Sequence, residues 1–253
     1  MNMNEMKKIW LSEEKAAHIH GWDFSRLDGR FNSSDDDLDW DYRQLIIDRI
    51  KPDMRILDID TGGGEFLLSL GHPCDKTSAT EGYPPNVKLC REKLIPLGID
   101  FHEWRMGMAL PFADESFDMV INRHGSYDIP EIWRVLKNGG IFITQQVGGD
   151  NDSELVQLLC PGKKPLYEGH YLGTELAKFR EQGFTVTAGG ECYRPIEFYD
   201  TGALVWFARV IPWEFGGFSV ESCFDRLCMA QKLIEENGKV SGCIHRFMIT
   251  AEK

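Results

Sequence analysis

The stretch Ile56-Leu57-Asp58-Ile59-Asp60-Thr61-Gly62-Gly63-Gly64-Glu65-Phe66-Leu67-Leu68-Ser69-Leu70 constrains this chain more than any other. An apolar run meets acids, consecutive glycines follow, and an apolar helical pattern begins. Glycine takes positive φ and leaves no Cβ between backbone and ligand, and the helix N-terminus beyond it offers unpaired N–H groups. Strand, glycine turn and helix in that order form a recurrent seat for nucleotide-like ligands in α/β sheets.

The neighbouring segments extend the same pattern. Residues 55–59 read as a short buried strand, 65–70 as a helix, 76–80 as a strand, and 86–97 as a helix with Val87, Leu89, Cys90, Leu94 and Leu97 at helical spacing. Segments 99–104, 117–121 and 141–147 read as further strands, and the helix at 130–136 stops at Asn138-Gly139-Gly140. Strands separated by helices of this length imply right-handed crossovers and a parallel sheet covered on both faces. Upstream, 4–20 is helical and 21–41 is a loop holding Trp22, Phe24, Phe31, Trp40 and the acids Asp35, Asp36 and Asp37. The helix at 41–50 stops at Lys51-Pro52-Asp53. Downstream, 172–182 is a helix ended by Gly183, 184–193 a strand, 201–211 and 224–236 helices, and 245–251 an alternating strand.

Composition narrows the partners. With 253 residues, 42% hydrophobic and free of internal repeats, the chain can bury one good-sized core. A net charge of −12 disfavours a surface built to neutralise phosphates, and so a nucleic-acid partner. Seven cysteines without CxxC pairs, and no His at ligand spacing, read as reduced structural thiols with no metal site. No run approaches the roughly 18 apolar residues of a membrane span, and no apolar leader opens the sequence. The expectation is a cytoplasmic protein with no membrane partner.

Three ligand classes compete for the glycine turn. A phosphate loop needs Lys-Ser or Lys-Thr where Phe66-Leu67 stands. A dinucleotide fingerprint starting at Gly62 and Gly64 puts its third glycine on Leu67, which weakens that reading without excluding it. The third class is an adenosine without phosphate. Residues 56–64 resemble motif I of the class I S-adenosylmethionine-dependent methyltransferases, apolar-Leu-Asp-x-Gly-x-Gly-x-Gly, with Asp60 at the first glycine position. Ala79-Thr80-Glu81-Gly82, Leu110-Pro111-Phe112-Ala113-Asp114-Glu115-Ser116-Phe117-Asp118 and Arg134-Val135-Leu136-Lys137-Asn138-Gly139-Gly140-Ile141-Phe142 then resemble the family's later motifs, in order.

The resemblance implies S-adenosyl-L-methionine as cofactor. It places Asp58 near the methionine amino group, Asp60 and the backbone of Thr61, Gly62, Gly63 and Gly64 beneath methionine and ribose, and Glu81 with Gly82 at the ribose hydroxyls. Where the family often has an Asp for the adenine amino group, this chain has Met106; backbone around Gly107 would read the adenine edge, with the Met106 and Met108 thioethers on the ring. Asn122 and Tyr42 complete the expected cofactor set, with Arg43 as an alternative to Tyr42 at the cofactor carboxylate.

The loop Asn122-Arg123-His124-Gly125-Ser126-Tyr127 points, by the family pattern, toward the transferable methyl group. It lacks the Asn-Pro-Pro-Tyr type of sequence found in methylases of exocyclic amines. His124 is the candidate catalytic base, against a competing reading as a loop histidine that packs on the cofactor or bonds the backbone. Strand alternation lets only one of Gln145 and Gln146 face the crevice. Aromatic residues between 193 and 215 either line an apolar pocket or pack an inserted helix.

The expected fold is α/β: a Rossmann-like, seven-stranded, mostly parallel sheet with one antiparallel strand, an N-terminal helical extension and a helical insertion before the last strand. Its expected parts are an N-terminal cover (1–51), a cofactor-binding core (52–195), a lid insertion (196–240) and a last strand (241–253), forming a single domain. The expected activity is methyl transfer to a small-molecule acceptor. The alternatives are a non-catalytic protein that binds the cofactor or its demethylated product, and an RNA methyltransferase. Nothing in the sequence fixes the acceptor atom or the oligomeric state.

Overall fold

Eight strands carry the alternation in the computed structural model, which is described for residues 2–18, 23–33, 37–164 and 167–253. They are β1 (Phe31–Ser33), β2 (Ile56–Ile59), β3 (Thr77–Glu81), β4 (Asp100–Glu103), β5 (Phe117–Arg123), β6 (Leu136–Val147), β7 (Thr185–Phe198) and β8 (Val240–Glu252). The helices are α1 (Met3–Lys15), α2 (Tyr42–Ile47), α3 (Glu65–Ser69), α4 (Pro84–Lys93), α5 (Ile129–Val135), α6 (Ser153–Leu159), α7 (Leu172–Gln182), α8 (Thr201–Val210) and α9 (Phe224–Asn237).

The sheet runs β1-β7-β8-β6-β5-β2-β3-β4. Pairs β2–β3, β3–β4, β2–β5 and β5–β6 are parallel, while β8 lies antiparallel to β6. The Rossmann-like α/β class therefore stands, with one strand more than the expected seven. The addition is β1, whose three residues pair antiparallel with β7 from Phe31↔Phe198 to Ser33↔Ile196. So short a strand, bordered by Gly29 and containing Asn32 and Ser33, leaves no period to read. Helix α6 was also not expected. Of the N-terminal residues singled out above, Trp22, Asp35 and Asp36 lie outside the described residues.

From β2 the chain moves outward to β3 and β4, then returns to β5 on the other side of β2. The carboxyl ends of β2 and β5 thus flank the point where strand order reverses, the place where open α/β sheets bind ligands. Both faces of these strands are buried: Leu57, Val120 and Phe142 join one cluster, and Ile56, Met119, Ile121 and Ile143 the other. A strand covered on both faces needs a continuous apolar run, which is how Ile56-Leu57-Asp58-Ile59 reads.

The chain divides into two compact units. One comprises Asp39–Val147, His170–Glu191 and Arg246–Lys253, and contains the parallel strands with α2 to α5 and α7. The other comprises Met1–Leu38, Gly148–Gly169 and Cys192–His245, with its own core around Leu204, Trp206, Phe207 and Leu227. In this second unit α8 is buried along almost its whole length. Its N-cap Asp200 accepts from Ala203 N at 2.8 Å and takes Arg30 bidentately at 2.9 and 2.7 Å.

Candidate active site

Strand β2 delivers Asp58 and then turns at Asp60, which holds a left-handed φ of 54°. That conformation costs most L-residues about 1–2 kcal/mol and is best tolerated by Asp and Asn after Gly. The Asp60 carboxylate accepts from Ser126 N at 2.8 Å, joining the glycine turn to the loop after β5. A Cβ on Gly125 would stand 2.4 Å from the Asp60 Cβ, so the two loops meet this closely only because residue 125 is Gly.

The turn itself is held from three sides. Thr61 N donates to Thr80 O at 3.0 Å, and Thr61 Oγ1 donates to Asp58 Oδ2 at 2.6 Å. The Cys90 thiol donates to Gly62 O at 3.1 Å; burial, with Glu81 adding to it, pushes this thiol up to about 12, so it stays protonated. Gly62 and Gly64 have φ of 66° and 80°, and Leu94 lies where a Gly64 side chain would begin. Nothing lies within 4 Å of the position a Gly62 Cβ would take, which leaves bare backbone facing open space.

Glu81, at the end of β3, is buried and wrapped by amides. Gly62 N donates to Oε2 at 2.8 Å, Gly82 N and Tyr83 N each donate to Oε1 at 2.8 Å, and Asn86 Nδ2 reaches Oε2 at a longer 3.4 Å. Oε2 therefore keeps the larger share of accepting capacity. Trp104 N donates to Glu81 O at 3.1 Å, and a Cβ on Gly82 would meet Trp104 O at 2.5 Å. After β4, Trp104 Nε1 donates to Met108 O at 2.8 Å and Gly107 has φ 90°. The turn this makes leaves Met106 and Met108 each 56% exposed, an unusual state for two thioethers.

Asp58, Asp60 and Glu81 thus gather around one turn, and their hydrogen-bond partners there are N–H and O–H groups. Burial raises Asp58 to about 7, opposed by the Thr61 hydroxyl and assisted by the charges of Asp60 and Glu81. Burial, then the Glu81 charge, raises Asp60 to about 6. Bare glycine backbone beside two buried acids and a half-buried third fits a cationic, phosphate-free ligand; a phosphate would meet repulsion here. Among the described residues no group of three or more His, Cys, Asp or Glu could hold a metal, and no helix is long and apolar enough to cross a membrane.

Other expected site residues are turned inward. The Tyr42 hydroxyl donates to Asn122 O at 3.0 Å, and its ring packs on Phe66 at 5.3 Å. Asn122 is fully buried: its amide donates to Ile59 O at 2.8 Å, and its Oδ1 accepts from Thr144 and Gln146. Both side chains therefore clamp the ends of β2, β5 and β6, and neither has its polar group directed at a ligand. Arg43 donates to Ser69 O at 3.1 Å. Gln145 and Gln146 face opposite ways, as alternation requires: Gln146 bonds Asn122 and Thr144, whereas Gln145 bonds Trp40 and His124.

His124 holds a left-handed φ of 58° and is exposed, with Nε2 against the Gln145 amide at 3.0 Å. Desolvation, then the charges of Arg246 and Arg123, keeps its pKa well below the ordinary histidine value. The ring is neutral at physiological pH.

Solved structures share the fold. A methyltransferase candidate from Bacillus halodurans superposes with a TM-score of 0.58 at 17% identity, over 84% of this chain and 98% of that one. The cyclase SpnF superposes with a TM-score of 0.52 at 18% identity, over 83% and 80%. At such identities the likeness concerns the fold. Residues 57–144, from β2 through most of β6, match the methyltransferase domain family.

Over this stretch the chain resembles a methyltransferase domain.

Curated proteins similar to this chain include a Mycobacterium ulcerans protein named as a probable phthiotriol/phenolphthiotriol dimycocerosates methyltransferase, 35% identical over 100 residues, or 35% of this chain and 37% of that protein. Demethylmenaquinone methyltransferase of Thermus thermophilus is 31% identical over 117 residues, 42% of this chain and 53% of the enzyme. The chain spans roughly a third to a half of the length of these relatives.

Proposed function

We propose that this chain is an S-adenosylmethionine-dependent methyltransferase acting on a small-molecule acceptor. The observation that carries the proposal is the pairing of open backbone at Gly62 with the buried acids Asp58 and Glu81 and the half-buried Asp60. When bound, the cofactor supplies a methyl group on a sulfonium. The chain's own contribution is electrostatic and geometric: the acids favour a cationic ligand, Glu81 Oε2 offers an acceptor for ribose hydroxyls, and exposed Met106 and Met108 offer apolar surface for adenine. In-line positioning and exclusion of water account for much of the acceleration such a transfer needs.

The small-molecule class is supported by the relatives, whose named substrates are small molecules, and by the net charge of −12, which opposes a polynucleotide. Incubation with methyl-labelled S-adenosylmethionine and a panel of phenolic, quinol and amine acceptors tests the proposal. Labelled product from one acceptor is the expected result. Cofactor binding with no turnover on any acceptor or on bulk RNA would favour a binding protein.

A further inference from the structure

Three side chains between the N-terminal end of the sheet-bearing unit and the loop after β5 form a directed hydrogen-bond chain. Trp40 Nε1 donates to Gln145 Oε1 at 2.8 Å, and Gln145 Nε2 lies 3.0 Å from His124 Nε2. An indole N–H only donates, so the amide oxygen must face Trp40 and the amide NH₂ must face His124. An NH₂ only donates as well, so His124 Nε2 has to be the acceptor. In a neutral ring the proton then sits on Nδ1, an atom with no hydrogen-bond partner among the described residues.

Each member of the chain is held in place. Gln145 is buried, and its backbone carbonyl accepts from His124 N at 2.8 Å, so the same two residues are joined twice. The Trp40 ring packs so closely on Gly190 that a Cβ there would come within 3.2 Å of it, with Met248 next to the same glycine. His124 itself holds a backbone conformation unfavourable to a side chain of its size, a strain that surrounding structure must impose.

We propose that Gln145, oriented by Trp40, is a positioning residue that fixes His124 as the Nδ1–H tautomer, making His124 a hydrogen-bond donor to the methyl acceptor in place of a base acting through Nε2. The acceptor part rests on the methyltransferase reading; the tautomer part does not. A donor at this place suits an acceptor that presents an oxygen or another lone pair, such as a phenolate or enolate, and needs no proton removed by His124.

Nitrogen-15 spectroscopy of the full chain labelled at histidine, without cofactor, tests the tautomer, and loss of a signal in His124→Asn assigns it. The expected spectrum has an unprotonated Nε2 and a protonated Nδ1. In Gln145→Glu a carboxylate would accept from both neighbours, so the proton is expected to move to Nε2. In Trp40→Phe the amide loses its orienting donor, and a mixture of tautomers is expected. Protonated Nε2 in the unaltered protein overturns the proposal, as does an unmixed, unchanged tautomer in Trp40→Phe; these two spectra decide the matter if Gln145→Glu does not fold. Because the readout needs no ligand, a failed methyl-transfer assay leaves it standing and a wrong tautomer leaves the methyltransferase reading standing.

Discussion

The backbone amide of Gly62 donates to Glu81 Oε2 at 2.8 Å, so the glycine turn after β2 and the acid ending β3 are one unit. Glu81→Gln would place an NH₂ against an N–H on one side of the side chain or the other. The unmade hydrogen bond costs about 1–3 kcal/mol. Thermal unfolding should show lower stability, and calorimetry should show cofactor affinity reduced about tenfold or more, a change worth about 1.4 kcal/mol. Unchanged affinity would mean that Glu81 serves the turn alone.

Gly125→Ala tests the meeting of the two loops. The added Cβ would stand 2.4 Å from Asp60 Cβ and 3.0 Å from its Oδ2, and the loop must shift. Overpacking of this kind costs about 1–3 kcal/mol. The variant is expected to lose the Ser126–Asp60 hydrogen bond, visible as faster amide exchange at Ser126, and to bind cofactor more weakly.

Asp60→Gly is expected to keep the fold. It relieves a left-handed φ of 54° on a non-glycine residue while removing the acceptor for Ser126 N. These effects oppose each other, and net stability should change by about 1 kcal/mol or less. Removal of a carboxylate should weaken the cationic cofactor more than its uncharged-sulfur product. Parallel titrations with both ligands measure that difference, and equal changes would place the Asp60 charge away from the sulfonium.

The raised acids set a pH dependence. Asp58 near 7 and Asp60 near 6 lie above the ordinary carboxylate range in the folded chain. Between about pH 4 and these values the folded state holds more protons than the unfolded one. Their contribution to stability is therefore fully present below about pH 4 and lost as pH rises through 6 to 7. A cationic ligand prefers the ionised acids, so binding should strengthen over the same rise. The thermal shift produced by cofactor is expected to be larger at about pH 8 than at about pH 5.5; a shift independent of pH would separate these acids from the ligand.

Asp200→Ala removes an N-cap and the partner of Arg30 together. The cap alone is worth about 1 kcal/mol, and denaturant unfolding should show a loss of about 1–2 kcal/mol. The Asp200 carboxyl, although penalised by burial, is held below its usual range by Arg30 and Ala203 N, so its contribution is present at neutral pH and lost as pH falls through its lowered value.

The sheet was legible because its strands are buried on both faces and its helices keep a 3.6-residue period, signals that lie within each segment. Motif I was legible because bare backbone must be written as glycine. What the sequence concealed depends on distant pairs. Tyr42 and Asn122 were expected at the ligand, but they bond to each other across 80 positions, and only the fold shows that the hydroxyl ends on a strand carbonyl. Asp60 stood out as a departure from a glycine pattern, while its partner Ser126 and the need for Gly125 belong to another loop. Trp40 and Gln145 were each visible as residues near a crevice, yet the order of donors and acceptors that makes them a chain requires the coordinates.

Calorimetric titration of the unaltered chain with S-adenosylmethionine tests whether the glycine turn and its acids bind this cofactor. Saturable one-to-one binding with a dissociation constant well below about 1 mM is the expected result. Absence of heat with S-adenosylmethionine and with its demethylated product at millimolar concentration would contradict it.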